Sequence, residues 1–402
     1  MSQPNPPRLS VKPSRQFPFL ARHPWVHAHA LKDDGASLSC GEIVDLVDSE
    51  DRFLGRGLVN PASRLRVRLY SFQEDVGIDD EFFCRRIDAA IARRRLGDLP
   101  TDLAHRAERL IFSESDLLSG LIVDRYADCL GVQFTAGALL RWREPILEHL
   151  RRVVGAREVV VRIDAKTAKH EGIHENVGEH SASENPLEPI EYRQNGLDLR
   201  VDLQGGQKTG GYLDQRCNHA AAAAYCVGKR VLDVCCYTGG FGLAAAKSGA
   251  DSITAIDSSA NAIEGARASA ERNGLTDRMT FVQEDCFDGL NRLRESGEKF
   301  DVVILDPPRF AGSRHQIDQA LRAYRRLNSL AVDLLPVGGV LVTCSCSGRV
   351  SRSDFLNMLV EVGRRCGRDL IVLENRGPAP DHPLAVSCPE SDYLKCVIAQ
   401  IS

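Results

Sequence analysis

Apolar positions along this chain fall into short runs, and the spacing of those runs changes three times. Residues 42–48, 53–60 and 65–70 are brief β-type runs separated by Gly, Asp and Pro, which predicts a small β-rich module over residues 1–75. In the third run Arg64, Arg66 and Arg68 alternate with Leu65, Val67 and Leu69, so a strand would line three guanidiniums along one face. With Arg52 and Arg56 nearby, that face is a candidate surface for an RNA backbone; a solvated outer face is the bland alternative. Residues 79–96 then switch to helical spacing, opening with Asp79, Asp80 and Glu81 and closing with Arg93, Arg94 and Arg95, charges that complement a helix dipole. Residues 106–112 read as the end of a helix. Strands follow at 121–126 and 130–134, an amphipathic helix at 139–154 and another strand at 158–163, giving a compact α+β unit over 76–166. Residues 167–189 are polar, carry His170, His174 and His180, and read as a solvated linker rather than a metal site.

From residue 190 onward helices and strands alternate regularly, which predicts an α/β domain over 190–402 with about seven strands, mostly parallel. Residues 230–234 form a buried apolar run. Thr238-Gly239-Gly240-Phe241-Gly242 then opens an Ala-rich helix that ends near Lys247. The next run, 252–256, ends in Asp257; residues 281–284 lead to Asp285; 300–305 lead to Asp306-Pro307-Pro308-Arg309-Phe310; and 338–342 lead to Thr343-Cys344-Ser345-Cys346-Ser347. Polar groups are thus delivered to the C-terminal ends of successive strands, where doubly wound sheets bind ligands.

The glycine turn lets backbone approach a ligand closely, and Asp257, eighteen residues past Gly239, has the spacing of a carboxylate that accepts from ribose hydroxyls. No Gly-Lys-Ser/Thr ending follows, so a phosphate-cradling loop is not indicated. A second glycine-bearing loop, Gly205-Gly206-Gln207-Lys208-Thr209-Gly210-Gly211, precedes the first helix of the domain and fits a cofactor enclosed by loops.

At 402 residues the chain has room for two or three domains. Its net charge of −4 excludes a strongly cationic nucleic-acid wrapper but not a local basic patch. The thirteen cysteines are odd in number, scattered through apolar runs and without Cys-x-x-Cys pairs, which disfavours disulfides and structural zinc. With no signal peptide and no apolar stretch of about 18 residues, the chain reads as cytoplasmic, with no membrane partner.

Taken in order, these motifs resemble a known family. Residues 190–402 resemble a Rossmann-like class I S-adenosylmethionine-dependent methyltransferase. The whole chain is similar to large-subunit ribosomal RNA 5-methylcytosine methyltransferases with an N-terminal PUA-like domain. The matching stretches are Arg22-His23-Pro24-Trp25-Val26, Gly206 to Gly210, Leu213-Asp214-Gln215-Arg216, Cys236 to Phe241, Asp306-Pro307-Pro308, Thr343 to Ser347, Asp381-His382-Pro383 and Tyr393-Leu394-Lys395.

The resemblance implies S-adenosylmethionine as cofactor and ribosomal RNA as partner; the oligomeric state stays open, a homodimer being one option. It implies cofactor contacts from Gln207, Lys208, Thr209, Asp233, Tyr237, Thr238, Gly239, Gly240, Asp257, Asp285 and Asp306, with Asp285 accepting from the adenine amino group. It assigns the nucleophile to Cys346, since cytosine carbon 5 must be activated by a covalent bond at carbon 6, and leaves Cys344 deeper in the sheet as a buried thiol. Asp306 would face the cytosine N4 amino group or a protonated N3. Lys208 and Arg309 could meet RNA phosphate or the cofactor carboxylate. Glu390 is a candidate base for the carbon 5 proton, Lys395 standing where uracil-methylating relatives carry a glutamate. Two alternatives remain: methylation of another atom such as guanine N7, or a non-catalytic RNA-binding assembly factor.

Overall fold

A computed structural model describes residues 5–96, 105–174, 178–181 (backbone only), 188–204, 209–310 and 316–402. Gln207 and Lys208 lie outside the described residues. The chain divides into two compact units, Met1–Tyr192 with Arg200–Leu213 and Pro380–Ser391, and Arg193–Leu199 with Asp214–Ala379 and Asp392–Ser402.

The first unit begins with β1 (Arg8–Ser10), α1 (Phe17–Leu20), β2 (Trp25–His27), β3 (Ile43–Val47), β4 (Phe53–Val59) and β5 (Leu65–Ser71), whose strands form a sheet of order β1-β3-β4-β5-β2. Next come α2 (Asp80–Arg93), β6 (Ala107–Phe112), β7 (Leu121–Tyr126), β8 (Cys129–Phe134), α3 (Arg143–Val154), β9 (Glu158–Ile163), α4 (Ala165–Glu171) and β10 (Gly178–Ser181), with a second sheet of order β10-β9-β8-β7-β6. The Asp79 side chain caps α2 by accepting from the Phe82 amide, so the acidic start of that helix has a local cause.

The two N-terminal sheets share one apolar cluster, in which Leu58 and Tyr70 from the first sheet meet Phe83 and Ile87 of α2 and Val132 and Phe134 of β8. Two expectations fail in this unit. The stretch read as a linker supplies α4, and β10 pairs antiparallel with β9 from Gly178↔Ile163 to Ser181↔Val160. Residues 107–112 are a strand, not a helix end. Glu108 and Arg109 are buried there, Arg109 forming a two-bond pair with Asp124 at 2.7 Å, and these hidden charges mask the period of two.

The arginine face is also corrected. Arg66 and Arg68 are buried rather than presented to solvent. Arg66 donates to Asp34 at 3.2 Å, and Arg68 reaches Glu114 at 3.2 Å and Glu171 at 3.4 Å. Arg56 pairs with Asp45 at 2.7 Å and Arg52 with Asp48 at 2.7 Å. The carboxylates that neutralise Arg66 and Arg68 come from distant sequence, so alternation alone could not distinguish an RNA-facing row from an internal one.

After the hairpin of β11 (Ile190–Gln194) and β12 (Leu197–Val201), the second unit runs α5 (Arg216–Ala224), β13 (Arg230–Val234), α6 (Gly240–Lys247), β14 (Ser252–Asp257), α7 (Ala260–Arg272), β15 (Met279–Gln283), α8 (Cys286–Glu295), β16 (Val302–Leu305), α9 (Ile317–Asp333), β17 (Val340–Ser345), α10 (Arg352–Cys366), β18 (Leu370–Arg376) and β19 (Lys395–Ile401). Among the described residues its sheet has seven strands in the order β15-β14-β13-β16-β17-β19-β18. β13 to β17 are parallel, and β19 inserts antiparallel beside β17. Strands such as Val302-Val303-Ile304-Leu305 are buried on both faces, which is why they read as continuous apolar runs. The order reverses at β13, whose neighbours are β14 and β16, and this puts the candidate site at the C-terminal ends of β13, β14, β16 and β17. Among the described residues no helix is long and apolar enough to cross a membrane.

Candidate functional site

Between β13 and α6 the chain makes a tight turn in which Cys235, Tyr237 and Gly239 all take left-handed backbone angles, with φ of +60°, +49° and +85°. Each non-glycine residue held there costs roughly 1–2 kcal/mol, so the surrounding contacts must impose the turn. Two carboxylates do so. Asp257 at the end of β14 accepts from the Tyr237 amide and the Ser259 amide, both at 2.9 Å. Asp233, fully buried on β13, accepts from the Gly242 amide at 2.8 Å.

These two acids have different uses. Asp257 is half-buried, and each of its oxygens keeps a lone pair beyond the main-chain bond, so it can still accept from a diol at the strand end. Asp233 has no exposed surface, and its Oδ1 has no hydrogen-bond partner among the described residues. Burial pushes its carboxyl up to about 7, with the nearby Asp257 charge adding to the effect and the Gly242 N–H opposing it. The expected cofactor contact from Asp233 is therefore replaced by support of the turn from beneath.

The glycines divide the same way. Gly239 supplies the left-handed angle at the start of α6 and, as N-cap, has no side chain to bond the first-turn amides, of which Asp233 takes that of Gly242. Gly240 is small for packing: a Cβ there would come within 2.4 Å of the His219 ring. His219 is buried edge-on against Phe241 at 4.4 Å between ring centroids, and burial pushes its imidazole down to about 4, keeping it neutral. Thr238 is exposed and Tyr237 half-buried. Open amides at a helix start, a glycine that permits close approach and a carboxylate acceptor one strand away fit a nucleoside-bearing cofactor.

Thr209 lies in the first unit, buried, with its hydroxyl bonded to Asp124 of the Arg109 ion pair. Asp285 is exposed and caps α8, its Oδ1 accepting from the Phe287 amide at 2.9 Å. That local bond accounts for an acid at this position without an adenine. Glu390 belongs to the first unit and lies 3.2 Å from His23 Nε2. With Cys388 these two bring three ligand-type atoms within 4.8 Å of one another. His23 Nδ1 accepts the Trp25 amide at 3.2 Å, which leaves Nε2 to donate its proton to Glu390.

The reactive side of the site lies where β16 and β17 end. Asp306 follows β16 and accepts from Gln215 Nε2 at 3.0 Å. Gln215 is held in turn by Asn218, whose Nδ2 donates to Gln215 Oε1 at 2.7 Å, and Arg376 donates to Asn218 Oδ1 at 3.0 Å. Cys346 follows β17, is half-exposed, and its Sγ lies 4.0 Å from the Pro307 carbonyl oxygen. Cys344, two residues earlier, is fully buried opposite Cys396 on β19, and burial pushes its thiol well up. The two cysteines separate because β17 ends at Ser345, which leaves Cys344 within the sheet and Cys346 beyond its edge.

Sequence reading passed over several residues here. Gln215 stands inside a recognised motif, Leu213 to Arg216, yet nothing in its spacing points to Asp306. Tyr324 of α9 brings its hydroxyl 3.1 Å from Ser347 Oγ, and burial pushes that phenol up to about 12, so it remains protonated. Lys395 is almost completely buried, donating to the carbonyls of Ser347 and Tyr393, both at 2.9 Å. A lone lysine at the start of an apolar strand gives no sequence signal of burial.

Comparison with known proteins gives a consistent picture. The family model described as S-adenosylmethionine-dependent methyltransferase matches residues 137–388, and a PUA-like domain model matches residues 9–72. "Ribosomal RNA large subunit methyltransferase I" of Shewanella denitrificans is 39% identical over 396 residues, 98% of this chain and 99% of its own. The protein of the same name from Tolumonas auensis is 38% identical over 391 residues, 97% of this chain and 98% of its own. A solved methyltransferase structure complexed with SAH superposes with a TM-score of 0.83 at 21% identity, covering 98% of this chain and all of the other.

Proposed function

From the premise that this chain belongs to the S-adenosylmethionine-dependent methyltransferase family, with a PUA-like domain ahead of it, we propose that it forms 5-methylcytosine in large-subunit ribosomal RNA, in the cytoplasm. The observation that carries the cytosine reading is the half-exposed Cys346 beside Asp306-Pro307, at the ends of two neighbouring parallel strands. Methylation of a more nucleophilic atom such as guanine N7 needs no thiol there.

S-adenosylmethionine supplies an electrophilic methyl group. Asp257 and the open amides at the start of α6 would hold it, and the rigid turn at Tyr237 and Gly239 keeps those groups aimed. Carbon 5 of cytosine has too little electron density to accept a methyl group unaided. The Cys346 thiolate would add to carbon 6, forming an S–C6 bond and moving the 5,6 double-bond pair toward carbon 5, which then takes the methyl group. Asp306, oriented by Gln215, would accept from the N4 amino group and steady the ring as charge builds at N3. Loss of the carbon 5 proton to a base restores the double bond and expels the thiolate.

RNA carrying 5-fluorocytidine tests this directly, because fluorine at carbon 5 cannot leave as a proton does. Wild-type protein with cofactor should form a covalent adduct that survives denaturation, and Cys346→Ala should not. No adduct with wild type, or the same adduct with Cys346→Ala, overturns the reading.

A further inference from the structure

We propose that the buried ammonium of Lys395 holds the Cys346 thiol in its thiolate form. The inference rests on the reading of Cys346 as nucleophile and adds the group that makes it reactive at neutral pH.

Lys395 opens β19 and its Cα is the cross-strand partner of Ser345, while its Nζ donates to the Ser347 carbonyl. The lysine is therefore tied to the residues on both sides of Cys346. Its side chain is nearly inaccessible, and among the described residues no carboxylate forms an ion pair with it. Asp392, the acid that acts on it most strongly, is engaged by Arg352 at 3.4 Å. A buried ammonium whose bonds go to neutral carbonyls is expensive to retain without an anion nearby. Carbonyls alone could be satisfied by an uncharged donor. What an ammonium adds is charge, and the thiol flanked by the two residues that meet the lysine is that of Cys346.

The surroundings set the window. Burial pushes Lys395 down to about 8; Asp392 and Cys346 favour its charged form, while Arg352 and Arg309 oppose it. At pH 7 the lysine still carries its proton. Around Cys346, Asp306 contributes negative charge, Tyr324 stays a neutral phenol and Cys344 a neutral thiol. Lys395 supplies positive charge opposite Asp306, with the Arg309 guanidinium as a second cation nearby. On ionisation the S–H bond of Cys346 breaks and its proton passes to water, while the lysine keeps all three of its own. Above pH 8 the ammonium is lost and the two groups titrate as a pair.

The test is the pH dependence of Cys346 alkylation by iodoacetamide on the full chain, read from the Cys346 peptide by mass spectrometry. Wild type should show an apparent pKa clearly below the value of about 8.5 for an ordinary thiol. Lys395→Met should raise it by about one unit, seen as roughly tenfold slower alkylation at pH 7, and Lys395→Arg should keep it low. A wild-type profile centred at or above the ordinary value overturns the proposal, whether or not Lys395→Met folds. So does a folded Lys395→Met with the wild-type profile. Alkylation needs neither RNA nor cofactor, so its failure is distinguishable from failure of the 5-fluorocytidine adduct, which reads the role of Cys346 itself.

Discussion

Gln215 Nε2 donates to Asp306 Oδ1 at 3.0 Å, joining a residue just before α5 to the acid at the end of β16. Both Gln215 and Asn218 behind it are buried, so the carboxylate is aimed by a chain of amides rather than by solvent. The bond fixes the orientation of the Asp306 carboxylate at the end of β16.

Replacing Gln215 by Leu should remove that orientation while nearly conserving volume. A hydrogen bond to a charged group is worth about 1.5–3 kcal/mol, so methyl transfer should slow by roughly 10- to 100-fold. Affinity for S-adenosylmethionine, measured by calorimetry, should change much less. Equal losses in both would show that Gln215 supports the cofactor pocket as a whole.

Asp233 predicts a pH signature in stability. Its carboxyl is raised to about 7 in the folded chain against an ordinary value of 3.8, so the folded state holds a proton that the unfolded state has released. The stabilisation is full below the unfolded value and is lost as pH rises through 7. Asp233→Asn keeps an acceptor for the Gly242 amide and removes the buried charge. Thermal unfolding should show the variant more stable than wild type by on the order of 1–3 kcal/mol at pH 8, with the gap closing by pH 4. A constant difference across that range would contradict the assignment.

Arg68 bears on the first unit. Substitution by Met would leave Glu114 and Glu171 buried without their shared cation, and breaking such a pair costs about 3–5 kcal/mol. Denaturant unfolding should report that loss. If Arg68 instead served RNA, stability would be unchanged and the salt dependence of RNA binding would fall.

Much of the second unit was legible because its central strands β13, β16 and β17 are buried on both faces and lead into polar residues. The parallel sheet, the turn at Gly239, Asp257 one strand over and the separation of Cys344 from Cys346 all follow from local order. The first unit was harder. Its Arg66, Arg68 and Arg109 look like surface charges in any local window, and only partners from distant sequence bury them. The polar stretch around Ala165–Glu171 was misread for the same reason: Glu171 bonds Asn60 and Ser63, and no nearby residue reveals it.

By itself the sequence determined the periodicities of the strands and helices, the places where strands end, and the residue types delivered there, since these depend on neighbours within a few positions. Tertiary structure decided which charges are buried, that Asp233 supports the turn while Asp257 remains open, that Gln215 stands beside Asp306, and that Lys395 is buried against the Ser347 carbonyl. Those outcomes depend on the desolvation and pairing of groups far apart in the chain, and such energies exist only once the sheet has brought the groups together.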